Sequence, residues 1–135
     1  MKMRSIILAG VLVVGATPAL ADGHLVGTWK AVEGGGGAIV GSDHGGKDVS
    51  YTGDNDLTWT LRVEEQSGSG FHAQWCSQNK CEDVVGVERM NGGILMADED
   101  GHFEGTVIHN KMELCYVESG KDVRVADCHI LQKQE

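Results

Sequence analysis

From Gly27 onward the apolar positions recur at every second residue rather than at the 3.6-residue spacing of a helix. Leu57, Trp59, Leu61 and Val63 alternate with Thr58, Thr60, Arg62 and Glu64, which predicts a strand with one buried face. Phe71, Ala73 and Trp75 alternate in the same way with His72 and Gln74. Further strands are expected at 27–32, 38–41, 84–90, 94–97, 102–109, 111–117 and 123–131, and no window carries a convincing helical stripe.

Turn chemistry separates these runs. Asn91-Gly92 suits a two-residue type I′ hairpin, because both residues tolerate positive φ. Ser67-Gly68-Ser69-Gly70, Asp98-Glu99-Asp100-Gly101 and Ser119-Gly120-Lys121-Asp122 mark other reversals, with His109-Asn110 or Asn110-Lys111 supplying one more. Strands joined this closely pair antiparallel with their sequence neighbours, since a parallel crossover needs a dozen or more residues. The expected fold is all-β: an antiparallel up-and-down meander closing into a barrel of about eight or nine strands, which leaves no exposed edge for other chains to pair with. One segment interrupts the rhythm. Glu33 followed by four glycines, and then 41–47, hold too many glycines for a firm strand; a mobile loop at one barrel mouth or a ligand gate is expected there.

Ahead of the strands, Lys2 and Arg4 precede an apolar run from Ile6 to Gly15, and Ala19-Leu20-Ala21 follows. Charge, short apolar core and a small-residue cleavage site in that order read as a secretory signal peptide over 1–21, too short to remain as a spanning helix. Of 135 residues, 114 then form the mature chain, 22–135, which is the size of one domain. Export to the periplasm or the medium is the expected destination.

Cleavage removes two of the 11 basic residues and none of the 20 acidic ones, so nine Lys+Arg face 20 Asp+Glu. Such a field repels nucleic acid and anionic membrane surfaces, and neither nucleic-acid binding nor stable membrane insertion is expected. Cys76, Cys81, Cys115 and Cys128 all lie in the mature part, and an even count in an exported chain reads as two disulfides. Of three possible connectivities we favour Cys76–Cys81, closing the polar Ser77-Gln78-Asn79-Lys80 loop, with Cys115–Cys128 joining neighbouring strands. On the chain-entropy account each short loop contributes roughly 2–3 kcal/mol.

Several chemical motifs are incomplete. Residues 41–48 nearly spell a phosphate-binding loop, but Asp48 stands where a Ser or Thr hydroxyl belongs and no strand-to-helix unit surrounds it. The six histidines, His24, His44, His72, His102, His109 and His129, do not group at ligand spacings and are expected at the surface or in turns. Asp54-Asn55-Asp56 and Asp98-Glu99-Asp100 lack the distal Glu of a calcium loop and read as Asp-rich turns. No nucleophile elbow, metalloprotease helix or free cysteine is apparent, so no catalytic residue, metal ligand or cofactor site is assigned.

The tryptophans offer more. Trp29, Trp59 and Trp75 sit on the apolar faces of early strands, so a closed barrel turns them inward, either as core filling or as the wall of an aromatic pocket that Tyr116 can complete. Leu25-Val26-Gly27-Thr28-Trp29 resembles the opening of calycin barrels, including avidin-type and lipocalin-type proteins and small secreted metalloproteinase inhibitors. By that resemblance Trp29 closes one barrel end, and the implied roles are ligand binding or protease inhibition. No set of polar residues maps onto the biotin site of avidins.

These readings converge on an exported, non-catalytic, monomeric binding protein that holds a small apolar or aromatic ligand against Trp29, Trp59, Trp75 and Tyr116. The alternatives are a protein-binding module such as a protease inhibitor, presenting 22–26 to another exported protein, and a small barrel enzyme with converging polar groups.

Overall fold

The structure, a computed structural model, describes residues 23–41, 46–53 and 57–135. The proposed signal peptide, residues 42–45 of the near-match to a phosphate loop and Asp54-Asn55-Asp56 lie outside the described residues. Among the described residues nine strands follow one another: β1 (Gly27–Gly41), β2 (Gly46–Thr52), β3 (Thr60–Ser67), β4 (Gly70–Cys76), β5 (Cys81–Glu88), β6 (Gly93–Ala97), β7 (His102–Ile108), β8 (Lys111–Ser119) and β9 (Val123–Lys133). From β3 to β9 each strand pairs antiparallel with the next, and β1 joins both ends of the series by pairing with β3 and β9. The result is a closed eight-stranded up-and-down barrel, with β2 attached outside the ring to the second half of β1.

Inward positions follow the two-residue period. Leu61 and Val63 on β3, Phe71, Ala73 and Trp75 on β4, and Met112 and Leu114 on β8 are all buried, while the intervening residues of β3 and β8 face outward. An eight-stranded barrel is just wide enough for such side chains to meet at its axis.

The largest departure from expectation is the glycine-rich segment, which is strand rather than loop. β1 runs unbroken through Glu33 and the four glycines, all paired with β9 or bulged against it. The register shifts by one residue between Ala31 and Glu33 and again between Gly34 and Gly36. Two bulges bend the strand, so that its first half pairs with β3 and its second with β2 on the same edge. Here glycine is required by proximity: a Cβ on Gly35 would stand 1.8 Å from the Cys128 carbonyl oxygen, and one on Gly37 2.1 Å from that of Ala126. Glycine in a strand therefore marks close backbone approach at this place, not mobility.

Three smaller differences have similar local causes. β2 was not anticipated because it covers no core: Val49 and Tyr51 are exposed, so nothing imposes an apolar alternation on it. Leu57 falls in a turn and is exposed, and Trp59 immediately precedes β3 rather than lying within it. At Asn91-Gly92 only Gly92 has positive φ (78°). The Gly92 N–H donates to the Arg89 carbonyl and the Arg89 N–H to that of Gly93. This is a three-residue loop ending in a left-handed glycine, not a type I′ turn.

Both disulfides have the favoured connectivity. Cys76–Cys81 closes the β4–β5 hairpin across a directly opposed pair, and Cys115–Cys128 links opposed positions of β8 and β9. Two disulfides are consistent with an oxidising environment.

Replacing Gly35 or Gly37 with Ala is expected to destabilise the fold by about 1–3 kcal/mol, because backbone must shift to admit the methyl group. Gly53→Ala, with nothing within 4 Å of the new Cβ, is the matched control. Chemical denaturation of the three variants checks this; equal midpoints would show that β1 does not press on β9.

Candidate functional site

The two barrel ends differ in how their interiors are finished. At the end carrying the start of β1 and the end of β9, the chain plugs its own barrel. Leu25 is fully buried, its N–H donates to Gln66 Oε1 at 3.0 Å, and a turn from Gly23 to Val26 holds it in place. Trp29 lies just inside. It is 1% exposed, its Nε1–H donates to the Leu25 carbonyl at 2.9 Å, and Lys133 Nζ stands 5.6 Å from its ring. Trp29 thus seals an end. Buried Glu88 completes the seal through His24, whose Nε2 is 3.2 Å from Glu88 Oε1. Within the 22–26 segment offered to a partner in the inhibitor reading, Leu25 is anchored inside the barrel and Val26 is partly exposed.

The opposite end is open. A cavity of about 470 Å³ lies at this mouth, lined in its aromatic part by Trp59, Trp75, Tyr116 and His129. Trp59 and Trp75 stack with centroids 4.9 Å apart and planes 7° apart. Trp75 meets Phe103 in a T-shaped contact with centroids 5.5 Å apart, and Phe103 in turn packs on Tyr116 at 4.7 Å. His129 tilts against both indoles, 5.8 Å from each. Three of the four residues singled out from sequence therefore meet in one cavity, while Trp29 belongs to the sealed end.

A smaller space of about 200 Å³ adjoins this cavity and shares Ile39, Trp59, Asp127 and His129 with it. Gly35, Gly36, Thr52 and Gly53 form its other walls. It lies where β1 has left β3 and not yet met β2, so the bulged strand shapes the side of the site.

Polar groups of the mouth come from strand positions and from one turn. Asp127 and His129 continue the inward face of β9 between Val125 and Leu131, both buried. Asp127 Oδ1 accepts a hydrogen bond from Thr52 Oγ1 at 3.2 Å, and its Oδ2 is 3.3 Å from His129 Nε2. The expectation of a surface or turn histidine fails at His129, which is 6% exposed beside the indoles. Its parity with Val125 and Leu131 was the available signal. Glu82 on β5 and Glu118 on β8 share the inward parity of Val84 and Leu114.

Asp98 and Asp100 arrive from the β6–β7 turn. Asp98 Oδ1 accepts from the Asp100 and Gly101 N–H groups at 3.0 and 2.6 Å, which fixes the turn. Asp98 Oδ2 is shut off from water and has no hydrogen-bond partner among the described residues. Burial, followed by the charges of Asp98, Glu118, Asp100 and Glu82, pushes the Tyr116 phenol well above its ordinary range. Tyr116 therefore remains a neutral hydroxyl and an available donor at physiological pH.

The Cys76–Cys81 loop supplies the remaining polar wall. Lys80 is paired with Glu82, which raises the lysine's affinity for its proton. Ser77 Oγ is engaged within the loop: it accepts from the Asn79 and Lys80 N–H groups and lies 3.3 Å from the Lys80 carbonyl. That hydroxyl is committed to the turn rather than presented as a nucleophile.

No family model, curated protein or solved structure matches the chain. The antiparallel eight-stranded ring is compatible with a calycin-like barrel.

Trp75 and Trp59 are expected to differ on truncation. Trp75→Ala empties a buried position and should cost about 3–5 kcal/mol of stability. Trp59→Ala removes a ring only partly buried against the core and should cost clearly less. Thermal unfolding of the two variants tests this; an equal loss would mean that Trp59 is core rather than cavity wall.

Proposed function

We propose that this protein is an exported binding protein that takes a small flat ligand into the open barrel mouth without transforming it. The observation that carries the reading is the stacked Trp59–Trp75 pair on the wall of a 470 Å³ cavity. That volume suits a small organic molecule, and an aromatic wall with a few polar groups is the usual composition of such a site. One indole is locked by Phe103 and the other keeps partial exposure, so the stacking surface is formed before any ligand arrives. Preformed rigidity favours affinity because little side-chain freedom remains to be lost.

Within this reading the chain is a calycin-like barrel in the periplasm or the medium, with Trp29 closing the far end as the resemblance at Leu25 to Trp29 implies. The plugged end supports it: a barrel sealed at one end and open at the other has a defined entrance. Ser77's engagement in its loop further supports binding over acyl transfer.

The test is to screen planar aromatic compounds against the indole N–H resonances. A binder is expected to shift the Trp59 and Trp75 signals while leaving Trp29 in place, and Trp59→Ala should weaken it by about tenfold or more. If no compound moves either resonance, or if Trp29 alone responds, the reading fails.

A further inference from the structure

We infer that the ligand of the mouth cavity is an organic cation: a flat body for the indoles, with an ammonium or amidinium group for the carboxylates. The inference rests on the binding reading above and specifies the chemistry of its ligand.

Its basis is an imbalance of charge around a preformed aromatic surface. Among the described lining residues, Glu82, Asp98, Asp100, Glu118 and Asp127 border the cavity, whereas Lys80 is the one lysine or arginine. Lys80 is already matched by Glu82. Asp127 is engaged by Thr52 and His129. Asp98 differs from these: one oxygen is spent on the turn, and the other is buried without a partner. The Asp98 charge adds to that of the other carboxylates bordering the cavity, and the field they make favours a cation.

The neighbouring chemistry points the same way. The face of an indole attracts a cation through its quadrupole, most strongly where water is excluded. The Tyr116 hydroxyl oxygen on the same wall can accept a further N–H. An anionic ligand would meet like charge on several sides, and a neutral one would leave that charge unmatched. Among the described residues no three His, Cys, Asp or Glu side chains are placed to hold a metal ion, so the geometry favours an extended organic cation over a bare one. The protein's acidic character, 20 acidic against 11 basic residues over the full chain, draws cations toward the surface before they reach the mouth.

The experiment uses three probes of matched shape: 2-naphthylmethylammonium, 2-naphthylmethanol and 2-naphthylacetate. Calorimetry gives their affinities and the indole N–H resonances report their location. The ammonium probe is expected to bind about tenfold tighter than the alcohol, with the carboxylate weakest. Asp98→Asn and, separately, Glu118→Gln should lower the ammonium-to-alcohol preference severalfold, and Glu104→Gln on the outer wall should not. Equal binding of ammonium and alcohol at Trp59 and Trp75, or a preference that both cavity variants retain, would overturn the cation inference and leave the aromatic binding site standing. Tightest binding by the carboxylate probe would do the same. Failure of all three to perturb Trp59 and Trp75 would overturn both proposals.

Discussion

Closure of the ring depends on the pairing of β1 with β9, and that pairing depends on backbone meeting backbone at Gly35 and Gly37. A strand of 15 residues cannot follow a small barrel's curvature and also change partners on its other edge without bending. The two bulges provide the bend, and the missing side chains allow the carbonyls of Cys128 and Ala126 to come within the space a methyl group would fill. The Cys115–Cys128 bridge then ties β9 to its other neighbour beside this contact. With β9 held on both edges, its inward residues have fixed positions, and Asp127 and His129 are among them.

The interior divides because the inward row changes chemistry along the strands. Toward the sealed end it reads Leu25, Trp29, Leu131 and Met112, which pack to exclusion of water. Toward the mouth the same rows continue as Glu82, Tyr116, Glu118 and Asp127, which cannot fill an apolar core. The indoles stand at this boundary. Trp75 belongs to the packed side and Trp59 to the open one, and their stacking joins core rigidity to a surface that a ligand can reach.

This arrangement also sets the electrostatics of the mouth. Carboxylates at the rim lie beside low-polarity rings, where fields are less screened than in bulk water. Their influence is visible in Tyr116, whose proton is held by burial and by four surrounding acidic residues. The sealed end handles charge differently: Glu88 is enclosed with His24 and Gln66 as partners, which makes it part of the plug.

Much of this was legible without coordinates. The two-residue period identified an antiparallel meander, short turns fixed the neighbour order, and the spacing of the cysteines indicated two local bridges; each is a local property of the chain. Trp59, Trp75 and Tyr116 were recognisable as inward aromatics for the same reason. Other features required long-range placement. Glycines that read as a loop are strand because β9 approaches them, and His129 is buried where two indoles distant in the chain, Trp59 just ahead of β3 and Trp75 on β4, tilt against it. The separation of Trp29 from the other two rings follows from which barrel end each strand position reaches. Local alternation determined which side chains turn inward; only closure of the ring decided which of them share a cavity, because height along the barrel depends on register between strands far apart in the chain.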